Sequence, residues 1–151
     1  IKGKNWLAEE AWAIPALIFM GLWGVGGAMI TYLAGLQDVP TSLIEAADID
    51  GANIFQKIWH ITLPMISPII YFNFIMGIIG ALQVFGTAYI MTGGGPGRST
   101  TFYALYLYQL AFEDYRMGYA SAMAWILFIL ILVLTLLAHK LSKRFVFYRG
   151  V

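Results

Sequence analysis

The feature that most constrains this chain is where its charges are missing. Three long stretches carry no Asp, Glu, Lys or Arg: residues 11–36, the interval between Lys57 and Arg98, and residues 117–139. A helix that crosses a bilayer needs roughly 20 mostly apolar residues, so each stretch is long enough. Only 11% of the 151 residues are charged, against about a quarter in an ordinary soluble domain. The mean hydropathy of +0.76 agrees, and together these point to lipid as the solvent.

The three stretches differ in texture. The first has a glycine-rich middle, Gly21, Gly24, Gly26 and Gly27, and small residues let neighbouring membrane helices approach closely. Its Pro15 lies near the start, where a missing N–H matters least. The second interval is too long for one crossing. Pro64 and Pro68 are expected to break its beginning and Gly93-Gly94-Gly95-Pro96 its end, leaving a helix over about residues 66–91. The third is closed by Lys140, Lys143 and Arg144 and opens on the small residues Gly118, Ala120, Ser121, Ala122 and Ala124. Between residues 127 and 137 it is apolar on every face except at Thr135, as a lipid-facing helix should be. The fold expected is all-α: one polytopic membrane domain over residues 1–151 with three transmembrane helices.

The connecting segments are of two kinds. Residues 38–64 mix polar and apolar side chains. Ser42-Leu43-Ile44-Glu45 has the spacing of a capping box, so a helix is expected to start there. Gly51 should interrupt or end it. A second helical piece then carries Phe55, Ile58 and Trp59 on one side. Residues 99–112 are too short to cross, and Tyr103, Tyr106, Tyr108 and Phe112 suit a short helix at the membrane surface. The basic tail, Lys140, Lys143, Arg144 and Arg149, favours the cytoplasm. Three crossings then put residues 38–63 inside and the Gly-Gly-Gly-Pro loop outside, although Lys2, Lys4, Arg98 and Arg116 on the outer side dilute that bias. The opening residues 1–10 are short and polar, with no signal-peptide pattern and no initiator methionine. The chain is therefore expected to be a fragment or a processed piece.

Several chemistries have little support. No ionised side chain lies within a predicted span, whereas proton relays, ion-coupled carriers and voltage sensors need them. The nine basic residues form no run, which argues against nucleic-acid binding. There are no cysteines, and the two histidines, His60 and His139, stand far apart, so no metal site is expected. The run from Thr92 to Ser99 looks like a phosphate loop but is not one. Thr92 stands where the first glycine belongs, Arg98 where the lysine belongs, and no strand precedes it. Glu45 and Asp48 lie one helical turn apart and face the same way. Without a histidine or cysteine beside them, they read as a solvated or partner-facing surface.

One stretch carries a resemblance. Glu45-Ala46-Ala47, three residues, Gly51, nine residues, then Ile61-Thr62-Leu63-Pro64 resembles, at every defined position, the EAA loop of binding-protein-dependent ABC importers. Leu33-Ala34-Gly35-Leu36-Gln37 with Pro40, Met91-Thr92-Gly93-Gly94-Gly95-Pro96-Gly97, Phe112 with Met117-Gly118-Tyr119-Ala120-Ser121-Ala122, and Leu141-Ser142-Lys143-Arg144 are similar to the maltose-type sugar permeases of that group. The resemblance covers essentially the whole chain and implies two or three further spans upstream.

In that family the loop is a cytoplasmic coupling helix that docks into a groove on a separate ATPase. The resemblance carries the docking role onto Glu45, Ala46, Ala47 and Gly51. Asp48 would add to an acidic face, with Phe55 and Trp59 as apolar anchors. It also implies that Trp23, Gly24, Gln83 and Phe85 line a central substrate path. Gln83, read as an amide deep in an apolar helix, needs a partner there: a sugar hydroxyl or a neighbouring helix. The implied function is a non-catalytic permease subunit for a sugar in the bacterial inner membrane, with the coupling loop and C-terminus cytoplasmic. Its implied partners are an ATPase that binds ATP and Mg, a second permease, an extracytoplasmic solute-binding protein and membrane lipid. No cofactor is expected in this chain. The alternatives are an importer permease for another solute, such as glycerol phosphate or an oligopeptide, and an uncoupled channel or anchor.

Overall fold

The computed structural model describes residues 5–143, 146 and 147, and no strand occurs among them. Three helices are long and apolar enough to cross a membrane: Glu10–Gln37, Ile54–Leu82 and Met117–Ser142, of 28, 29 and 26 residues. At about 1.5 Å per residue each exceeds the roughly 30 Å hydrocarbon core.

The first long helix comprises α1 (Glu10–Gly21), a 3-10 turn (Leu22–Gly24) and α2 (Val25–Gln37). Pro15 lies inside α1, past its first turn, deeper than the expected position near the start. Its ring is exposed rather than packed. After α3 (Thr41–Ile49) come α4 (Ile54–Lys57), a π-helical turn (Ile58–Thr62) and α5 (Leu63–Leu82), which run on as the second long helix.

The expected helix over residues 66–91 is corrected at both ends. Pro64 and Pro68 do not break it, because each disturbance is absorbed locally. A proline ring clashes with the carbonyl four residues back, and the π-helical turn ends just before Pro64 and widens the backbone there. Pro68 has no N–H for the carbonyl of Pro64, and the hydroxyl of Ser67 donates to that carbonyl instead, at 2.6 Å. At the other end the helix stops at Leu82. Gln83, Val84 and Phe85 are non-helical, and a separate α6 (Gly86–Thr92) follows.

The chain divides into two compact units. One comprises Ile1–Val25 and Ile78–Leu134, the other Gly26–Gly77 and Thr135–Val151. In the first, α7 (Tyr103–Tyr108) and a π-helical turn (Gln109–Glu113) form the expected short helix. Its Leu105 is fully buried, while Tyr106 and Phe112 are exposed. Leu110 and Ala111 pack with Ala120 of α8 (Met117–Ser142), flanked by Leu107 and Met123. The small side chain of Ala120 permits this approach. The Tyr103 hydroxyl donates to the Met123 carbonyl at 2.9 Å.

The glycine-rich loop of the same unit is a built turn, as its composition suggested. Buried Gly94 has φ +92°, open to glycine and strained for other residues. Thr100, fully buried, donates to the Gly95 carbonyl at 2.9 Å and shares a 2.6 Å hydrogen bond with the Thr92 hydroxyl. The Glu10 carboxylate lies against Gly97, where an added Cβ would come within 3.0 Å of it.

In the second unit, Gly35 of α2 is buried against Ile69 and Ile66 of α5. The Tyr71 hydroxyl is 2.9 Å from Nδ1 of His139.

Candidate functional site

The first helix of the loop between the first two long helices begins earlier than its sequence suggests. Val39 precedes a proline, which disfavours helical backbone. Pro40 is extended (φ −62°, ψ 127°) and acts as the N-cap without a side-chain hydrogen bond. Helix α3 thus starts at Thr41, so Ser42 is already inside it and the expected box with Glu45 does not form. A capping box does form one helix later. Asn53 Oδ1 accepts from the Gln56 N–H at 2.9 Å, and the Asn53 N–H donates to Gln56 Oε1 at 2.8 Å. The N-x-x-Q spacing was legible in the sequence and was overlooked.

Gly51 is exposed, has φ +74° and has nothing within 4 Å of where a Cβ would stand. It ends the first arm of the loop, as expected of a residue that adopts left-handed backbone freely. Around it, Glu45, Ala46 and Asp48 are exposed and Ala47 is half-buried. Phe55 and Trp59 are exposed too, at 74% and 65%, with Ile49 at 88% and Ile54 at 69%. These large apolar side chains are unusually open for a segment this polar. Asp48 is not a free carboxylate: Lys57 Nζ donates to its Oδ1 at 2.6 Å. Among the described residues Glu45 forms no ion pair, and no group of His, Cys, Asp and Glu could hold a metal.

The four residues assigned to a substrate path all sit on irregular backbone. Trp23 and Gly24 belong to the 3-10 turn inside the first long helix, and Trp23 is 96% exposed. Gln83 and Phe85 occupy the break after α5. Gln83 is therefore not an amide deep in a helix: its N–H bonds to the Gly80 carbonyl at 3.2 Å, and the residue is exposed. Interrupted membrane helices free backbone groups to face a cavity or a ligand. Phe85 heads an aromatic cluster. It stacks on Tyr89 at 5.4 Å and meets Tyr108 at 5.1 Å, while Tyr108 touches Phe112 at 5.1 Å. The phenol of Tyr108 is raised above its ordinary pKa, first by its hydrogen bond with Tyr89. Among the described residues no ring contact joins Trp23 to this cluster. Tyr89 and Tyr108 were missed as members. The four-residue spacing of Phe85 and Tyr89 was the available signal, and the approach of Tyr108 is tertiary.

The comparison that decides the family is with binding-protein-dependent transport system inner membrane components, whose sequence pattern matches residues 5–147. The chain belongs to that family. It is 43% identical over 147 residues to the probable ABC transporter permease protein YesP of Bacillus subtilis, covering 96% of this chain and 48% of the relative. It is 45% identical over 134 residues to the multiple sugar-binding transport system permease protein MsmF of Streptococcus mutans, covering 88% of this chain and 46% of that protein. Among solved structures it resembles a chain of a bacterial ABC transporter involved in the import of the acidic polysaccharide alginate. That match has a TM-score of 0.82 and 29% identity, and covers 93% of this chain and 50% of the other. The chain thus spans about half the length of the relatives it matches, and its membrane helices are those of an importer permease.

Proposed function

We propose that this chain forms part of the translocation path of an ATP-driven sugar importer and receives movement from a separate ATPase through α3 and α4. The observation that carries this reading is the bent loop at residues 45–63. It presents Glu45 beside uncovered Ile49, Phe55 and Trp59, with a left-handed glycine at the bend. Such a surface offers apolar anchors and a carboxylate for a basic partner groove. The small side chains of Ala46 and Ala47 allow close approach. ATP and Mg belong to the ATPase, and a second permease and an extracytoplasmic binding protein complete the assembly. The loop and the C-terminus lie in the cytoplasm.

The names of relatives support a sugar as cargo. Besides the multiple sugar-binding system, they include the arabinooligosaccharides transport system permease protein AraP of Bacillus subtilis, 39% identical over 144 residues. Trp23 and Phe85 are suited to stack on a sugar face, and exposed Gln83 to bond its hydroxyls.

Glu45→Lys and Gly51→Pro should each weaken co-purification of the permease with its ATPase. Normal assembly and uptake in both variants would defeat the coupling role, as would labelling that places residues 45–63 outside the cell or in lipid. The cargo is tested by vesicle uptake over maltose, trehalose, arabinooligosaccharide, alginate oligosaccharide, glycerol 3-phosphate and a short peptide. Preference for glycerol 3-phosphate or peptide would replace the sugar reading, and uptake without an ATPase would replace energy coupling by a channel.

A further inference from the structure

The elbow between α3 and α4 consists of Asp50, Gly51, Ala52 and Asn53. A glycine with positive φ and open space around it is a natural hinge, and a hinge absorbs movement instead of passing it on. Three interactions close this one. The Ala52 N–H donates to the Ala47 carbonyl at 2.9 Å, which seals the end of α3. The Asn53–Gln56 box fixes the first turn of α4. Lys57 on α4 reaches back nine residues to Asp48 on α3, at 2.6 Å, and is the one ion pair among the described residues. Only this third interaction joins side chains of the two arms. Lys57 is its shielded member, at 21% exposure against 56% for Asp48.

The position of Lys57 matters as much as its charge. Helix α4 passes through the π-helical turn into α5 without a gap, so residues 54–82 are one helix. A lysine at its fourth residue is fixed to the base of a membrane-crossing rod. The hydroxyl of Thr62 and the ring of His60 bond back to the carbonyls of Lys57 and Gln56, at 3.5 and 3.0 Å, and hold the same turn in shape.

We propose that Asp48 and Lys57 are a positioning pair that clasps the elbow, so that displacement of α3 is carried into the second long helix instead of being spent at Gly51. This deepens the coupling role proposed above and rests on it. It gives Asp48 an intramolecular task and leaves Glu45 as the carboxylate available to a partner.

The test uses the full-length permease in its assembled complex, with spin labels at the exposed positions Ser42 and Phe72. The wild-type distance distribution should be narrow. Lys57→Gln should broaden it, raising the population of open elbows about two- to fivefold, the range expected of a partly exposed pair. Lys57→Arg should restore the narrow distribution. In the same complexes, Lys57→Gln should lower uptake per ATP hydrolysed by a similar factor, using the solute that the uptake panel selects, while the ATPase still co-purifies. An unchanged distance distribution in Lys57→Gln would overturn the clasp, as would unchanged uptake per ATP or failure of Lys57→Arg to restore either. The coupling role fails by a different sign, an ATPase that remains attached to Glu45→Lys, so the two failures are distinguishable.

Discussion

At the scale of single residues, burial separates positions that hold the chain together from positions that face outward. Leu105 is fully buried in the first unit, whereas Leu136 of α8 is 59% exposed. Truncating a buried leucine removes its transfer energy and leaves a cavity, so Leu105→Ala should destabilise by about 2–5 kcal/mol. Leu136→Ala should change stability by less than about 0.5 kcal/mol. Thermal unfolding in detergent, comparing the two variants with the parent, checks both. Composition alone ranks these leucines equally. What distinguishes them is tertiary packing: a Cβ built on Gly94 of the glycine-rich loop would stand 3.4 Å from Cδ2 of Leu105, and a single sequence carries no trace of that approach. The same limit applies to Tyr108, whose place beside Phe85 depends on two separate helices meeting.

At the scale of elements, the helices were readable where charge and glycine decide and misread where one local bond decides. The first and third long helices follow from uncharged length. The second does not, because proline content argues for a break that the Ser67 hydroxyl and a π-helical turn remove. Conversely, nothing in the apolar run through Leu82, Val84 and Phe85 announces the interruption that follows α5. The loop shows the same contrast. Two capping boxes are written in it, Ser42 with Glu45 and Asn53 with Gln56, and only the second forms, because Pro40 starts α3 too early for the first. Asn53→Ala should therefore destabilise the start of the second long helix by about 1 kcal/mol. Ser42→Ala, inside α3, should have almost no effect. Hydrogen exchange at Ile54 and Phe55 is the measurement: faster in Asn53→Ala, unchanged in Ser42→Ala.

For the whole molecule, a motif fixed in spacing gave the family, and the fold of an importer permease accounts for all three long helices. Much of the chain's surface is apolar and uncovered, including Trp125 at 66% and Ile126 at 59% on α8. That is the expected condition of a chain whose surroundings include lipid. Some hydrogen bonds join residues far apart in sequence. One is made at the Ser67 hydroxyl, which also accepts the N–H of Phe147, eighty residues on, at 2.9 Å. The oxygen that takes up the carbonyl left without a partner by Pro68 therefore also holds the backbone at Phe147. Ser67→Ala should free both at once, and Ser67→Thr neither, with protease cutting near Phe147 reporting the difference. A mend in one helix and an anchorage for a distant strand of backbone have become a single point of failure.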